Sequence, residues 1–337
     1  MKDDKVKISI CVITYNQENT IRQTLDTILS QVGDFDLEVV VGDDHSSDTT
    51  RTICEEYIGE NRVETGGERK LRLLPDEPNM GIMANVARVM SAASGDYIGL
   101  IAGDDYWCDD HKLEKQLRYM QIHPDCGVCF TDGYKLLVKQ KKLVSGLINH
   151  SLSPNGDESS YFFDKSYRGG PYMLPLSMLV TREMMRYINF DEFLKRKFPV
   201  EDYPMQAIWS KHTKFGVLRD KTVVYRVYKE SATFIGPEHP KYLWYHKGLM
   251  NIRRYLNELF PKDVVFDEDY CRDYEFWKEF LLYVYQFDYS SAKKLAIGNI
   301  NMTRNALQAH KMTKNRFIFI CFCIYKRIIN YKTKAAL

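Results

Sequence analysis

This sequence of 337 residues has no apolar run long enough to cross a bilayer. The longest run, residues 317–325, has nine residues, whereas a membrane-spanning helix needs about 20. The opening residues 1–7 also lack the apolar stretch and small-residue cleavage site of a secretory signal. We therefore expect a cytoplasmic protein without a transmembrane anchor.

Two nucleotide-binding motifs are absent as well. No Gly-x-Gly-x-x-Gly follows the first predicted strand, which argues against a dinucleotide oxidoreductase. The Gly-rich, Lys-containing loop that binds the phosphates of a nucleoside triphosphate is also missing. Nothing in the sequence indicates a known nucleic-acid-binding module, so we expect no nucleic acid partner.

Cysteine is sparse and forms no metal-binding pattern. The chain has eight cysteines, and the pair Cys126-x-x-Cys129 has no second pair at the spacing of a zinc finger. Its Gly-Val-Cys-Phe surroundings are typical of a strand. We predict that both thiols pack in the core.

Acidic residues are absent after Asp288, although the same stretch holds ten lysines and arginines. This stretch carries a charge of +10, which leaves −8 for the rest of a chain whose net charge is +2. Basic residues flank the apolar run 317–325 on both sides. The segment 311–334 therefore suits a helix that lies on the anionic inner face of a membrane. Packing against the protein body or a second subunit is the alternative.

Strand and helix patterns alternate through the first hundred residues. Continuous apolar runs predict buried strands at Lys7–Thr14, 37–42, 71–74 and 97–101. Helical periodicity predicts helices from Ile21, over 48–58 and over 81–93. Three βαβ units in a row indicate an α/β fold with a doubly wound, mostly parallel sheet flanked by helices.

The alternation loosens after Asp105. The patterns predict a helix over 111–121, a strand over 127–131, a polar loop over 145–172 and a short apolar segment over 173–180. A helix from Arg182, a helix that carries Trp209 and a strand over 222–227 follow. The pattern is purely helical after about Pro237. We therefore predict a catalytic domain over 1–236 and a helical extension over 237–337.

Two acidic pairs, Asp43-Asp44 and Asp104-Asp105, stand where two of these buried strands end. Adjacent carboxylates repel each other, so a fold tolerates them at a buried edge when a cation or a ligand offsets the cost. Ligands of doubly wound sheets bind outside the carboxyl ends of the strands. The segment Thr14-Tyr15-Asn16 follows the first strand at the same edge. The sequence therefore predicts a binding site at this edge.

Several motifs, in this order, resemble the inverting family 2 glycosyltransferases, which have a GT-A fold. The likeness runs from about Val6 to Ser231. The motifs are Ser9-Ile-Cys-Val-Ile-Thr-Tyr-Asn16, Val41-Gly-Asp-Asp-His-Ser-Ser-Asp48, Asn79-Met-Gly81, Ser94-Gly-Asp-Tyr-Ile98, Gly103-Asp-Asp-Tyr-Trp107 and Glu201-Asp202.

The resemblance implies roles for individual residues. Asp104 and Asp105 match the acidic motif that holds a divalent cation, Mn²⁺ or Mg²⁺, against the donor diphosphate, and Asp104 also contacts the nucleotide sugar. Asp202 matches the catalytic base, and Arg226 is placed to contact the diphosphate. The other residues expected to bind the nucleotide sugar are Thr14, Tyr15, Asn16, Asp44 and Asn79.

This chain departs from the family pattern at two positions. Ala102 stands where the first carboxylate of an Asp-x-Asp-Asp motif often lies, and Tyr228 replaces a frequent histidine. Structural roles stay open for some of the matched residues. Asp202 is also a possible helix N-cap, and Asn79 and Gly81 can serve only to turn the chain.

The resemblance implies metal-assisted transfer of a sugar, most simply from a UDP-sugar, to a hydroxyl of a glycan or a lipid-linked glycan. A nucleotidyltransferase of sugar phosphates is the alternative within enzymes, since such proteins also place carboxylates at an α/β sheet edge. A catalytically degenerate protein that binds nucleotide sugars is the non-enzymatic alternative. Retention of Asp105 and Asp202 argues against it.

Overall fold

The computed structural model describes residues 5–59, 62–64, 67–146, 163, 173–228, 236–263, 267–299 and 304–335. The chain divides into two compact units. The first comprises Met1–Lys195 and Val200–Arg226, and the second comprises Arg196–Pro199 and Val227–Leu337. Most of the polar segment 145–172 and Ser231 lie outside the described residues.

The first unit is built on a ten-stranded mixed sheet. Its strands are β1 (Lys7–Thr14), β2 (Asp36–Asp43), β3 (Arg62–Glu64), β4 (Gly67–Leu73), β5 (Tyr97–Ala102), β6 (Tyr106–Trp107), β7 (Cys126–Leu137), β8 (Lys142–Ser145), β9 (Met178–Thr181) and β10 (Lys214–Val227). Their order is β3-β4-β2-β1-β5-β9-β7-β10-β6, and β8 pairs with β7. The strands β4, β2, β1 and β5 run parallel. The predicted α/β fold is confirmed.

Helices flank this sheet. They are α1 (Ile21–Leu29), α2 (Thr50–Glu55), α3 (Ile82–Ala92), α4 (Lys112–Ile122), α5 (Phe190–Lys195) and α6 (Asp202–Trp209). The side chains of Ile21, Leu25 and Ile28 on α1 are fully buried, as are Val39 and Val41 on β2. The apolar stripe of the helix thus packs on strands that are themselves apolar, which is the arrangement that the sequence patterns predict.

Some element bounds differ from the prediction. The strand expected at 222–227 is the second half of β10, because its polar middle, with Asp220 and Lys221 exposed, hides the strand pattern. The segment after Arg182 forms a 3₁₀-helix, Arg182–Tyr187, rather than an α-helix. Its first residue is tied to the sheet, since the backbone N–H of Arg182 donates to the carbonyl of Asp96 at 2.8 Å.

The cysteine pair lies in the core as predicted. Cys126 and Cys129 are both buried on β7. They belong to the same apolar cluster as Leu117, Met120 and Leu179. Burial raises the pKa of the Cys126 thiol to about 11, as expected for an unreactive core residue.

The second unit is helical in its described part. Its helices are α7 (Tyr242–Leu259), α8 (Glu268–Gln286), α9 (Tyr289–Gly298), α10 (Arg304–Thr313) and α11 (Arg316–Ala335). Phe280 and Val284 of α8 pack with Ala296 of α9 and with Phe319 and Cys323 of α11. None of the helices in the described ranges combines the length and the apolar character needed to span a bilayer.

Candidate functional site

Three strands of the first unit end side by side at the carboxyl edge of the parallel core. Thr14, the last residue of β1, is the register partner of Asp43, the last residue of β2. Ile13 is the partner of Ala102, the last residue of β5. The loops after these strands carry the candidate residues Tyr15, Asn16, Asp44, Asp104 and Asp105. The sequence correctly predicted that these segments share one edge.

The acidic pair after β5 is held by contacts from two other elements. Asp105 is buried, and its Oδ1 accepts the backbone N–H of Arg226 at 2.8 Å. The Arg226 guanidinium donates to the backbone carbonyl of Asp104. From α1, the hydroxyl of Thr24 lies 2.6 Å from the carbonyl oxygen of Asp105 and 2.9 Å from that of Gly103. The pair therefore has a fixed position at the sheet edge.

The positive charge around Asp104 and Asp105 is too small to keep both carboxyl groups at their ordinary pKa values. Burial raises the pKa of Asp104, and the charge of Arg226 and a hydrogen bond from Gln17 offset this rise only in part. Burial and the neighbouring Asp104 carboxylate raise the pKa of Asp105 well above its ordinary value. Both carboxylates would ionise more readily beside a further cation. Two hard oxygen donors in this state suit a divalent cation such as Mg²⁺ or Mn²⁺.

Gly103 makes a close approach that a larger residue would prevent. A Cβ atom at this position would lie 2.6 Å from Oε1 of Gln17 and 2.9 Å from Oγ1 of Thr14. The hydroxyl of Thr14 donates to the same Gln17 oxygen at 2.8 Å. Gln17 therefore connects the end of β1 to the carboxylate of Asp104.

Asp44 holds the turn that precedes α3. Its Oδ1 accepts the backbone N–H of Met80 at 2.8 Å, and its Oδ2 accepts that of Gly81 at 2.9 Å. The side-chain amide of Asn79 donates to the Asp44 carbonyl at 2.9 Å. Gly81 has φ of 84°, a conformation that favours glycine. The structural roles that the sequence left open for Asn79 and Gly81 are thus present.

Asn16 is engaged in contacts between loops, whereas the side chain of Tyr15 is accessible to a ligand. The Asn16 N–H donates to Oγ of Ser46 at 2.9 Å, and its Oδ1 accepts the N–H of Ser47 at 2.8 Å. Asn16 therefore joins the loop after β1 to the loop after β2, with a left-handed φ of 52°. Tyr15 beside it is 49% exposed. Its ring is the accessible aromatic surface of this loop.

Arg226 is buried and lies at the centre of the contacts around the acidic pair. Besides its bonds to Asp104 and Asp105, its guanidinium donates to the side chain of Gln23. The guanidinium carbon also lies 4.7 Å from the centre of the Tyr106 ring. These contacts hold the end of strand β10 against the acidic motif and place a positive charge beside it.

Asp202, the predicted base, is the first residue of α6 rather than its N-cap, which is Glu201. Its Oδ1 accepts the backbone N–H of Tyr203 at 2.7 Å. Burial, followed by the charge of Glu201, raises the pKa of Asp202. The contacts that join Asp104, Asp105 and Arg226 do not include Asp202.

Helix α6 is nevertheless fastened to the segment beside the acidic motif. Oε1 of the buried Gln206 accepts the N–H of Met173 at 2.8 Å, and its Nε2 donates to the Met173 carbonyl at 2.5 Å. Three residues further on, the carbonyl of Leu176 accepts the indole N–H of Trp107 at 3.1 Å. Trp107 follows Asp105 by two residues. This series of bonds links the helix of Asp202 to the acidic motif.

Sequence reasoning missed several residues that build the site, namely Gln17, Gln23, Thr24 and Gln206. Two of them carried a signal. Thr24 lies within the apolar stripe of α1, and Gln206 lies on a helix whose other side chains are buried. A polar residue on a buried helix face needs a partner, which marks it as a bridge between elements.

One matched motif lies away from the site. The hydroxyl of Ser9 accepts the N–H of Gly95 at 2.7 Å, and Oδ2 of Asp96 accepts the N–H of Lys7 at 2.9 Å. These contacts occur where β1 and β5 begin, at the edge opposite to the acidic pair. The Ser94-Gly-Asp motif therefore shapes the sheet rather than the site.

Comparison with known proteins matches part of the first unit to a family. The model of the family described as Glycosyl transferase family 2 matches residues 9–172. This part of the chain belongs to glycosyl transferase family 2. The family domain contains both acidic pairs, while Asp202 and Arg226 lie beyond the matched range.

The relatives of this family 2 domain cover different shares of the chain. An uncharacterised protein of Mycobacterium tuberculosis is 42% identical over 36% of this chain, which spans only 34% of the relative. Bacillus subtilis TuaG, named a putative teichuronic acid biosynthesis glycosyltransferase, is 32% identical over 41% of this chain and 51% of its own length. An uncharacterised glycosyltransferase of Methanocaldococcus jannaschii is 23% identical over 84% of this chain and 89% of its own.

A solved structure shows the same fold. The crystal structure of S. aureus TarS residues 1–349 in complex with UDP-GlcNAc has a TM-score of 0.51 to this chain at 16% identity. The likeness covers 98% of this chain and 90% of that chain. It confirms the GT-A fold expected for a family 2 glycosyltransferase.

Proposed function

We propose that this protein transfers a sugar, with inversion, from a nucleotide sugar to a hydroxyl of a glycan or a lipid-linked glycan. The observation that carries the proposal is the acidic pair of half-buried Asp104 and buried Asp105, fixed at the carboxyl edge of a family 2 domain by Arg226. UDP is the proposed nucleotide. The UDP-GlcNAc bound to TarS and the polymer named for TuaG favour a UDP-sugar and a surface polysaccharide.

Asp104 and Asp105 would hold a divalent cation, Mn²⁺ or Mg²⁺. No third His, Cys, Asp or Glu joins a possible metal cluster within the described ranges. Their carboxylate oxygens are ligands of the kind that Mg²⁺ prefers. A cation bound there would supply positive charge that offsets the negative charge developing on the leaving diphosphate.

Other residues at the carboxyl edge of the sheet are suited to binding the nucleoside of the donor. Tyr15 has the exposed ring that can lie against a base. Thr14, Asn16, Asp44 and Asn79 support the base-binding loops, and Asp44 retains lone pairs on both oxygens besides the two amides that it accepts. We assign Asp44 to the base and Arg226 to the electrostatic stabilisation of the diphosphate.

Asp202 acts as the general base in this proposal. As the acceptor oxygen forms its bond to the anomeric carbon, the bond from that carbon to the phosphate oxygen breaks and the nucleoside diphosphate leaves with the electron pair. The carboxylate of Asp202 takes the proton of the acceptor hydroxyl. A positioned base of this kind contributes about 10²–10⁴ in rate.

A screen of nucleotide sugars tests this function. The native protein is incubated with each donor with and without Mn²⁺, and release of the nucleoside diphosphate is measured. We expect turnover with one donor class, dependence on the cation, and loss of turnover in Asp105→Asn. The exposed Asp110, also the second aspartate of an adjacent pair, provides the control variant Asp110→Asn, which should match the native protein.

Two results would contradict the proposal. Release of pyrophosphate from a nucleoside triphosphate and a sugar phosphate would assign the site to a nucleotidyltransferase. Binding of a nucleotide sugar without turnover under any condition, in the presence of glycan acceptors, would assign it to a degenerate binding protein.

A further inference from the structure

Helix α11 presents an apolar face that no described element covers. Phe317 is 72% exposed, Ile324 49% and Ile328 50%. Together with the exposed Cys321 they lie at i, i+4, i+7 and i+11, which is one face of a helix. Tyr325, 57% exposed, widens this face on one side.

The same helix already has a packed side. Phe319 and Cys323 are fully buried against α8 and α9, and Phe322 packs beside them. Their spacing places them on the side opposite to Phe317, Ile324 and Ile328. The exposed apolar face is therefore not the side that the helix needs for packing in its own unit. A helix in water normally carries polar residues there.

The charge around this face has a single sign. Between Arg316 and Ala335 the helix has five lysines and arginines and no acidic residue. Lys311 and Lys314 add two more charges just before it. Arg327 is held at the C-terminal end of α8, since its guanidinium lies 4.5 Å from the ring of Phe287 and donates to the carbonyl of Tyr285 at 2.7 Å.

We propose that this face, formed by Phe317, Cys321, Ile324, Tyr325 and Ile328, binds the surface of a membrane rich in anionic phospholipids. The exposed rings and isoleucines would enter the interface between headgroups and acyl chains, while the lysines and arginines contact the lipid phosphates. The helix would lie in the plane of the surface. The protein would then encounter a lipid-linked acceptor by diffusion along the membrane surface rather than through the bulk solution.

The charge distinguishes a lipid surface from a second copy of this chain as the occupant. Two copies related by a twofold axis would bring two strongly basic helices together, and their like charges would repel. An anionic lipid surface neutralises the same charges. The observations therefore favour the lipid.

Flotation with vesicles tests the proposal on the full chain. Vesicles of phosphatidylcholine alone are compared with vesicles that contain one-third phosphatidylglycerol, at low and at high salt. The test variant combines Ile324→Asp with Ile328→Asp. The control variant combines Ile58→Asp with Ile122→Asp, two isoleucines of the first unit that are 52% and 64% exposed. The melting temperature of each variant is measured first, and these exposed sites should leave it unchanged.

The native protein and the control should float with the anionic vesicles at low salt and bind less at high salt. The test variant should bind at least about tenfold more weakly. A native protein that stays soluble with anionic vesicles at low salt, or a test variant that floats like the control, overturns the proposal. Concentration-dependent dimers that the test variant abolishes, without flotation, would assign the face to a second copy. The measurement involves no sugar transfer, so its failure leaves the proposed enzymatic function untouched.

Discussion

The backbone N–H of Arg226 donates to Oδ1 of Asp105 at 2.8 Å, which joins two residues 121 positions apart in the chain. The same arginine donates through its guanidinium to the carbonyl of Asp104 and to Gln23. One residue at the end of β10 thus fixes both the position and the electrostatics of the acidic motif.

Arg226→Lys should weaken both the fold and donor binding. Lysine keeps the charge but cannot form the forked contacts to Asp104 and Gln23 at once. Loss of a buried hydrogen bond of this kind costs about 1–3 kcal/mol in the free energy of unfolding. Denaturant unfolding and titration with the donor measure the two effects. Arg118→Lys, at an exposed arginine of α4, is the control and should change neither. Equal behaviour of the two variants would refute the role of Arg226.

Gly103→Ala should disturb the site through Gln17. The new methyl group would overlap with Oε1 of Gln17, which accepts from Thr14 and whose side chain hydrogen-bonds Asp104. We expect a loss of about 1–3 kcal/mol in stability and weaker nucleotide binding. Gly298→Ala is the control, because a Cβ there meets nothing within 4 Å. Calorimetric titration with UDP and Mn²⁺ checks the binding, and unchanged affinity in Gly103→Ala would contradict the prediction.

The sequence predicted which segments share the carboxyl edge of the sheet, but not the contacts that their side chains make. The strand end at Thr14 was predicted from its apolar run, and the second strand was predicted to end at residue 42, one residue before its observed end at Asp43. The roles of Asp44 depend on the N–H groups of Met80 and Gly81, which are 36 and 37 positions away. No local pattern encodes such a contact, so a ligand-binding aspartate and a turn-holding aspartate look alike before folding.

Residues that bridge two elements of the fold could not be predicted from local sequence patterns either. Gln206 anchors α6 to Met173, yet it is a single glutamine in a helix, and its partner is a backbone 33 positions earlier. The parallel core and the helix of Trp209 were predictable because periodicity is local. The bonds that link the helix of Asp202 to the segment bonded to Trp107 are not local.

Asp202→Asn should abolish transfer while donor binding persists. The amide keeps the shape of the side chain but cannot take the proton of the acceptor hydroxyl. Product formation and donor affinity are measured separately. Asp191→Asn, at an exposed aspartate in the first turn of α5, is the control and should transfer sugar normally. Normal transfer by Asp202→Asn would remove this residue from the chemistry.

The same variant should change the pH dependence of stability. Burial and Glu201 raise the folded-state pKa of Asp202 above its unfolded value of about 3.9, so the folded state binds more protons between the two pKa values. The contribution of Asp202 to stability therefore falls as pH rises through this window. In Asp202→Asn the decline should be smaller. Denaturant unfolding at pH 5 and pH 8 compares them, and an unchanged slope would contradict the raised pKa.

Lys112 gives a pH prediction of the opposite sign. It is fully buried, donates to Oε1 of Gln116 at 2.6 Å and lies 4.4 Å from the ring of Trp107. Burial lowers its pKa to about 7. The unfolded state then binds more protons between pH 7 and about 10.4, so this residue's contribution to stability rises with pH. In Lys112→Met that rise should disappear. A variant with the native pH dependence would show that Lys112 is charged in the fold.

Asp104 and Asp105 should form a cation-dependent nucleotide site, and thermal stability measures this most directly. The melting temperature of the native protein, of Asp105→Ala and of Asp110→Ala is recorded with UDP, with Mn²⁺ and with both. The native protein and Asp110→Ala should be stabilised most when UDP and Mn²⁺ are present together, and Asp105→Ala should lose that stabilisation. Stabilisation of Asp105→Ala equal to that of the native protein, or full stabilisation by UDP in the presence of EDTA, would contradict the account.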